Sequence, residues 1–254
     1  TQNTTATTTA NITARPLVVT ITASNKIYNA SVAATVSYAD NRVSGDLFTV
    51  SGSATFDDKT AASGKTVTAT GIAITGTDAA NYSHNTTATT TAAITQRTLT
   101  VTGSFTVTSR QYDATANATS QVTVPVSAGL SDVQSGDDTT LDGTPTFTFA
   151  QANVGNNIGI STSGYSLVGA DATNYVLTQP TFSANITQRP LTIGGALVVA
   201  PTKTYDRGVS SSITDSSALV LENVPAGDAN TPSKVALTGL VAQYNNKTVA
   251  DAKA

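Results

Sequence analysis

The chain has 254 residues, of which 39% are apolar, 6% aromatic and 11% charged, with a net charge of -3. That is enough length for about two domains, with cores built mainly from Val, Ile, Leu and Ala, and the lack of a basic excess argues against nucleic-acid binding. Cysteine is absent, which excludes disulfides, thiol catalysis and thiolate metal sites, and no apolar run approaches the roughly 20 residues that span a bilayer as a helix.

In chain order the first element is a strand. TQNTTATTTANIT (1–13) nearly copies SHNTTATTTAAIT (83–95), so residues 1–14 are expected to be the terminal strand of a preceding repeat. ANITARPL (10–17) leads into a strand carrying Leu17, Val19 and Ile21, and KIYN (26–29) sets a basic residue two before a tyrosine. A Gly-Asp turn, VSGD (43–46), comes next. From 48 to 56, Phe48, Val50, Ala54 and Phe56 alternate with Thr49, Ser51, Ser53 and Thr55, the period of a strand with one buried face. After TFDDKTAASGK (55–65), the parity switches at Gly71. Val67 and Ala69 precede it and Ile72 and Ile74 follow, which predicts a bulge or a break there. GTDAANY (76–82) forms a tight loop before the exit strand that holds Ile94.

The same markers then return in the same order. AAITQRTL (92–99) and ANITQRPL (184–191) repeat the entry, at offsets of 82 and 92 residues. RQYD (110–113) and KTYD (203–206) repeat the tyrosine element, VQSGDD (133–138) and VPAGD (224–228) the Gly-Asp turn, and GADATNY (169–175) the Asn-Tyr loop. Segment 98–108 alternates Leu99, Val101, Phe105 and Val107 with Thr and Ser, and is expected as one strand. At the far end QYNNKTVADAK (243–253) matches 55–65. The expected organisation is therefore the preceding repeat's strand (1–14), repeat domain 1 (15–96), repeat domain 2 (97–188) and a truncated repeat domain 3 (189–254). No window shows a sustained helical stripe. Short strands between Gly, Asn and Asp turns, in units of about 80–90 residues, predict an all-β chain of tandem Ig-like β-sandwich domains forming an elongated rod.

The expected core of the first unit is Leu17, Val19, Ile21, Phe48, Val50, Phe56, Val67, Tyr82 and Ile94. That of the second is Leu99, Val101, Phe147, Phe149, Tyr175 and Ile186. Tyr28, Tyr112 and Tyr205 are expected to bury their rings and hydrogen-bond their hydroxyls.

These markers resemble the YDG-type repeats of large bacterial surface adhesins, including haemagglutinin-like proteins exported by two-partner secretion. The resemblance covers nearly the whole chain and has two departures. The glycine after Tyr-Asp is replaced by Ala30, Ala114 and Arg207, and the second unit reads Phe149-Ala150-Gln151-Ala152 where the first has Phe-Asp-Asp-Lys. The resemblance implies extracellular stalk material at the bacterial surface, with adhesion, biofilm or filament roles.

Candidate chemistry is sparse. With one histidine, His84, and one glutamate, Glu222, a Ser-His-Asp site would have to use His84, whose counterpart in the second repeat is Leu177. The chain reads as a non-enzyme without a cofactor. Calcium is the metal to weigh, because Asp78 and Asn81 recur as Asp171 and Asn174. The competing reading is that these side chains cap their own loop. A Lys–Asn isopeptide staple is ruled out in the second unit, where Arg110 replaces Lys26. Eight Asn-x-Ser/Thr sequons occur, close to what a Thr-rich composition produces unaided. Expected partners are neighbouring repeats of the same long chain, with no nucleic acid and no membrane span, and strand 1–13 could dock on the unfinished third unit of another copy to build filaments. Two function classes follow. The first is a stalk or filament segment projecting a binding region from the cell surface. The alternative is a ligand-binding β-sandwich module that recognises glycan or protein through loops of one repeat, with 128–143 the longest variant loop region.

Overall fold

A computed structural model of the chain describes residues 7–229, 235–245, 247 and 249. The fold is all-β, and the only helical turns among these residues are three-residue 3₁₀ segments at Ala79–Asn81, Thr119–Gln121 and Ala172–Asn174. In the first repeat the strands are β1 (Arg15–Leu17), β2 (Val19–Ala23), β3 (Lys26–Ile27), β4 (Val36–Asp40), β5 (Thr49–Phe56), β6 (Ala62–Thr75), β7 (Tyr82–His84) and β8 (Thr87–Thr95). The second contains β9 (Arg97–Thr102), β10 (Thr106–Val107), β11 (Arg110–Gln111), β12 (Val122–Thr123), β13 (Gly129–Leu130), β14 (Thr140–Asp142), β15 (Thr146–Phe149), β16 (Gly155–Ser163), β17 (Ser166–Val168), β18 (Tyr175–Thr178) and β19 (Thr181–Thr187). Among its described residues the third has short pairs only, such as β20 (Thr192–Gly194) with β21 (Val220–Glu222).

The first two repeats each build two halves from the same pairings. The first is a four-stranded sheet, β3-β8-β6-β5 in one repeat and β11-β19-β16-β15 in the next; we call this half the body. Its edge strand is parallel to the exit strand, with Lys26 opposite Ile94 and Arg110 opposite Ile186. The other half, the head, is an entry strand parallel to the strand after the Asn-Tyr loop, with Arg15 opposite Tyr82 and Arg97 opposite Tyr175. Strand periodicity is legible in the burial. Phe48 and Phe56 are buried while the threonines and serines between them face water. Gly71 sits at φ +62° beside a register shift between Ser51 and Ser53, so the buried parity changes there from Val67 and Ala69 to Ile72. A left-handed residue with no Cβ inserts the extra step at low cost.

One expected strand is two. Segment 98–108 divides into β9 and β10 at Gly103, whose φ of +138° breaks the pleat. The division matters because the compact units of the chain do not coincide with the repeats. Residues 1–103, 127–144 and 165–179 form one unit, and 104–126, 145–164 and 180–254 the other. The second repeat is thus split, its head belonging with the whole of repeat 1 and its body with repeat 3. The crossing points are marked by Gly103, Pro125, Pro145, Gly164 and Pro180, residues that interrupt a ladder readily.

The cores follow the units. In the first, Leu17, Val19, Ile21, Tyr28, Phe48, Phe56, Val67, Tyr82 and Ile94 share one buried cluster with Leu99 and Tyr175 of the second repeat. In the second, Phe147, Phe149, Ile158, Ile160 and Ile186 form a separate cluster. Leu99 and Tyr175, expected in the second repeat's own core, instead complete that of the first. Val50 and Val101 are half-buried. Residues 1–6 of the N-terminal segment lie outside the described residues. The rest of that segment, 7–14, is exposed and carries no strand, unlike the expectation. Most of 246–254 also lies outside them.

Candidate functional site

The tyrosine element is a local clamp. In each repeat the residue after Asn29, Asp113 or Asp206 takes a left-handed backbone, with φ of 58° at Ala30, 63° at Ala114 and 69° at Arg207. The preceding side chain then accepts the amide two residues on, Ser31 to Asn29 at 3.3 Å, Thr115 to Asp113 at 2.9 Å and Gly208 to Asp206 at 2.8 Å, an Asx turn. The basic residue closes it from outside. Lys26 donates to Asn29 at 3.1 Å, Arg110 pairs with Asp113, and Lys203 pairs with Asp206 at 2.9 Å. So the positions where the resemblance calls for glycine do need positive φ, although residues with side chains fill them.

The turn aims the tyrosine across the repeat boundary. Tyr28 is fully buried, and its hydroxyl donates to Asp137 Oδ2 at 2.8 Å. Asp137 is the aspartate of the next repeat's Gly-Asp turn. The same oxygen accepts Tyr175 at 2.7 Å, and Oδ1 accepts Lys59 Nζ at 3.0 Å. The two tyrosine rings meet edge to face with centroids 5.4 Å apart, a favoured aromatic geometry. Lys59 also reaches Asp171 at 3.3 Å. Around this centre Ala61 N–H donates to Asn174 Oδ1 at 2.9 Å, and Gln96 Nε2 to the Thr173 carbonyl at 2.9 Å. The body of repeat 1 is therefore fastened to the head of repeat 2 by one buried carboxylate that takes three donors.

Burial opposes ionisation of Asp137, and the hydrogen bonds from Tyr175, Lys59 and Tyr28 together outweigh it, holding the carboxyl below its ordinary value. The Asp137 carboxylate is the first cause that drives Lys59 upward. Burial first, and then the hydrogen bond to Asp137, pushes the Tyr175 hydroxyl up to about 12 and raises Tyr28 as well.

The second boundary repeats the contact. Tyr112 is half-buried and its hydroxyl bonds to Asp228, the aspartate of the third Gly-Asp turn, which is 5% exposed. Ala114 lies so close to Gly227 that a Cβ there would come within 2.9 Å of its methyl. Tyr205, expected to be buried, is 58% exposed.

The other candidates fall into structural places. Asp78 Oδ2 accepts the Leu47 amide at 2.8 Å, and Asp171 Oδ2 the Asp138 amide at 3.1 Å. Asn174 holds Ala61, while Asn81 is exposed. Asp78 and Asp171 thus each accept an amide of the facing Gly-Asp turn, and among the described residues no group of three or more His, Asp or Glu side chains is arranged to hold a metal. His84 lies in β7 with Nε2 3.0 Å from the Ile72 carbonyl oxygen. Glu222 Oε2 accepts Thr192 at 3.1 Å. No helix among the described residues is long and apolar enough to cross a membrane. Sequence reasoning missed Lys59 and the pairing of one repeat's tyrosine with the next repeat's aspartate. The recurrence of both markers was visible, but nothing in a sequence says which copy meets which.

A family model described as the YDG domain matches residues 13–92 and again 95–182. The chain belongs to the YDG domain family. No curated protein and no solved structure matches it. Both YDG matches run from an entry strand to just short of the next, so the tyrosine, the Gly-Asp turn and the Asn-Tyr loop lie within each. The latch described above joins two successive YDG domains.

Proposed function

We propose that this chain is a structural segment of a large extracellular bacterial adhesin, in which YDG domains follow one another as a stiff stalk of β-sandwich modules and project a binding region from the cell surface. The observation that carries this reading is the inter-repeat latch. Tyr28, Lys59, Asp137, Asp171 and Tyr175, all but Lys59 with a counterpart in the other complete repeat, are spent on holding repeats together. A side chain whose hydrogen-bonding capacity is filled from within is free neither to bind nor to react. The joint also leaves little slack, because β8 ends at Thr95 and β9 begins at Arg97, and a short link transmits orientation.

The alternative, a module that binds glycan or protein through 128–143, is less well supported. That stretch forms β13, β14 and the Gly-Asp turn against the body of repeat 1. The test is to pull the full chain by single-molecule force spectroscopy and to present it on a glycan array. A stalk gives discrete unfolding events at substantial force and no specific glycan binding. Saturable binding of one glycan, abolished by changes in 128–143, would overturn the proposal.

A further inference from the structure

The first two repeats build one hairpin in two lengths. In repeat 1 it is a single ladder, β5 against β6, paired from Thr49 with Thr75 to Phe56 with Val67. In repeat 2 the corresponding pairing runs from Thr140 with Val168 to Phe149 with Ile160. The ends correspond: Thr55 and Thr148, one residue before each phenylalanine, form the same isolated bridge, to Ala33 and to Asn117. The returning strand has one length in both, eight steps from Val67 to Thr75 and eight from Ile160 to Val168. The outgoing strand does not, with seven steps from Thr49 to Phe56 and nine from Thr140 to Phe149.

A ladder advances one residue on each strand at a time, so a surplus on one side only has no partners. Repeat 2 carries its surplus as an interruption. Asp142 still faces Ser166 and Thr146 still faces Ser163, while 143–145 and 164–165 belong to no strand. Gly143 and Gly164 both take left-handed backbones, with φ of 98° and 97°, and Pro145 brings no amide to a ladder. Repeat 1 keeps its own irregularity inside a continuous β6, as the bulge at Gly71. The other strands that leave the head of repeat 2 also stop short of its body, at Gly103 between β9 and β10 and at Gln179-Pro180 between β18 and β19. Beside these breaks the Tyr165 hydroxyl and Gln179 Oε1 are buried without a partner in the chain, an unfavourable state that water would relieve.

We propose that the second repeat is built as a flexure, bending about 143–145 and 164–165, while the unbroken β5–β6 ladder keeps the first repeat stiff. A hydrogen-bonded ladder resists bending because each step ties two backbones together. A glycine-flanked segment outside the ladder has only its own torsions to resist with. Bending there breaks no ladder hydrogen bond, so a chain loaded from the side yields at this point before any sheet opens. The inference does not depend on the adhesin reading. Within a stalk it would place the compliance inside a repeat and leave the latch between Tyr28 and Asp137 intact.

The chain has no cysteine, so spin labels can be placed in pairs on an otherwise unreactive background. Thr49→Cys with Thr55→Cys labels the continuous hairpin, and Thr140→Cys with Thr148→Cys labels the corresponding positions of the interrupted one; all four sites are exposed. Double electron–electron resonance on the full chain should give a distance distribution about twofold broader for the second pair than for the first. Deleting Gly143 and Thr144 gives the outgoing strand the length of its counterpart, and should narrow the second distribution to the width of the first. Equal widths in the undeleted chain overturn the proposal, as does a folded deletion variant whose distribution stays broad. If the deletion variant does not fold, the comparison of the two pairs in the undeleted chain decides alone.

Discussion

Ala30 and Ala114 hold backbone angles that glycine holds without strain. A non-glycine residue in the left-handed region costs about 1 kcal/mol, and the extra freedom of glycine in the unfolded chain offsets part of any gain. Ala30→Gly and Ala114→Gly should therefore be neutral to about 1 kcal/mol stabilising. Ala69→Gly, fully buried in the middle of β6, should cost about 1 kcal/mol or more. Denaturant midpoints of the three variants check this, and equal losses in all three would show that the turn is not held left-handed. Phe56 is 3% exposed in the first core, so Phe56→Ala should lower stability by about 3–5 kcal/mol. An unchanged thermal midpoint would remove β5 from the core. Most such residues were legible beforehand, because alternation names the buried face of a strand. Leu99 and Tyr175 show where legibility stopped: their burial could be read, but the surface they are buried against could not. Tyr175 packs on Tyr28 from the preceding repeat, and periodicity carries no information about partners.

Among the elements, the Gly-Asp turn carries the strongest electrostatic prediction. Asp137 titrates below its ordinary value in the folded chain, so its contribution is complete above the unfolded value of about 3.9 and is lost as pH falls through the lower folded one. Tyr175 runs the other way. Its hydroxyl is held at about 12, so the stabilisation is complete below the unfolded value of about 10 and disappears as pH rises towards 12. Melting temperatures across pH should show a plateau between these limits, with Asp137→Asn flattening the acid limb. Asp137→Ala removes the acceptor from two buried tyrosines and from Lys59, and should cost about 3 kcal/mol. A melt of that variant superimposable on the parent would mean that the latch holds nothing. Gly71 was visible in the sequence as a parity switch. The split at Gly103 was not, because Leu99, Val101, Phe105 and Val107 keep one parity straight through it.

For the molecule as a whole, cooperative units and repeats are different things. Amides around Leu99 and Tyr175 should lose hydrogen-exchange protection together with those around Val67 and Ile94, while Ile160 and Ile186 open in a separate step. Two openings divided instead at residue 96 would show that each repeat folds on its own. The all-β class and the repeat period came from sequence, through turn residues and offsets. The half-repeat shift between period and compact unit did not, since a period has no preferred starting point.

That shift bears on how such a chain can change length over generations. Recombination between two copies of a repeat can cross over anywhere within the period and still yield whole periods. Each new junction then sets a tyrosine turn before a Gly-Asp turn, the pairing seen between Tyr28 and Asp137 and again between Tyr112 and Asp228. Copy number can rise or fall without a new interface having to evolve. The selective pressure falls on the match between tyrosine and aspartate across all copies, rather than on any one copy by itself.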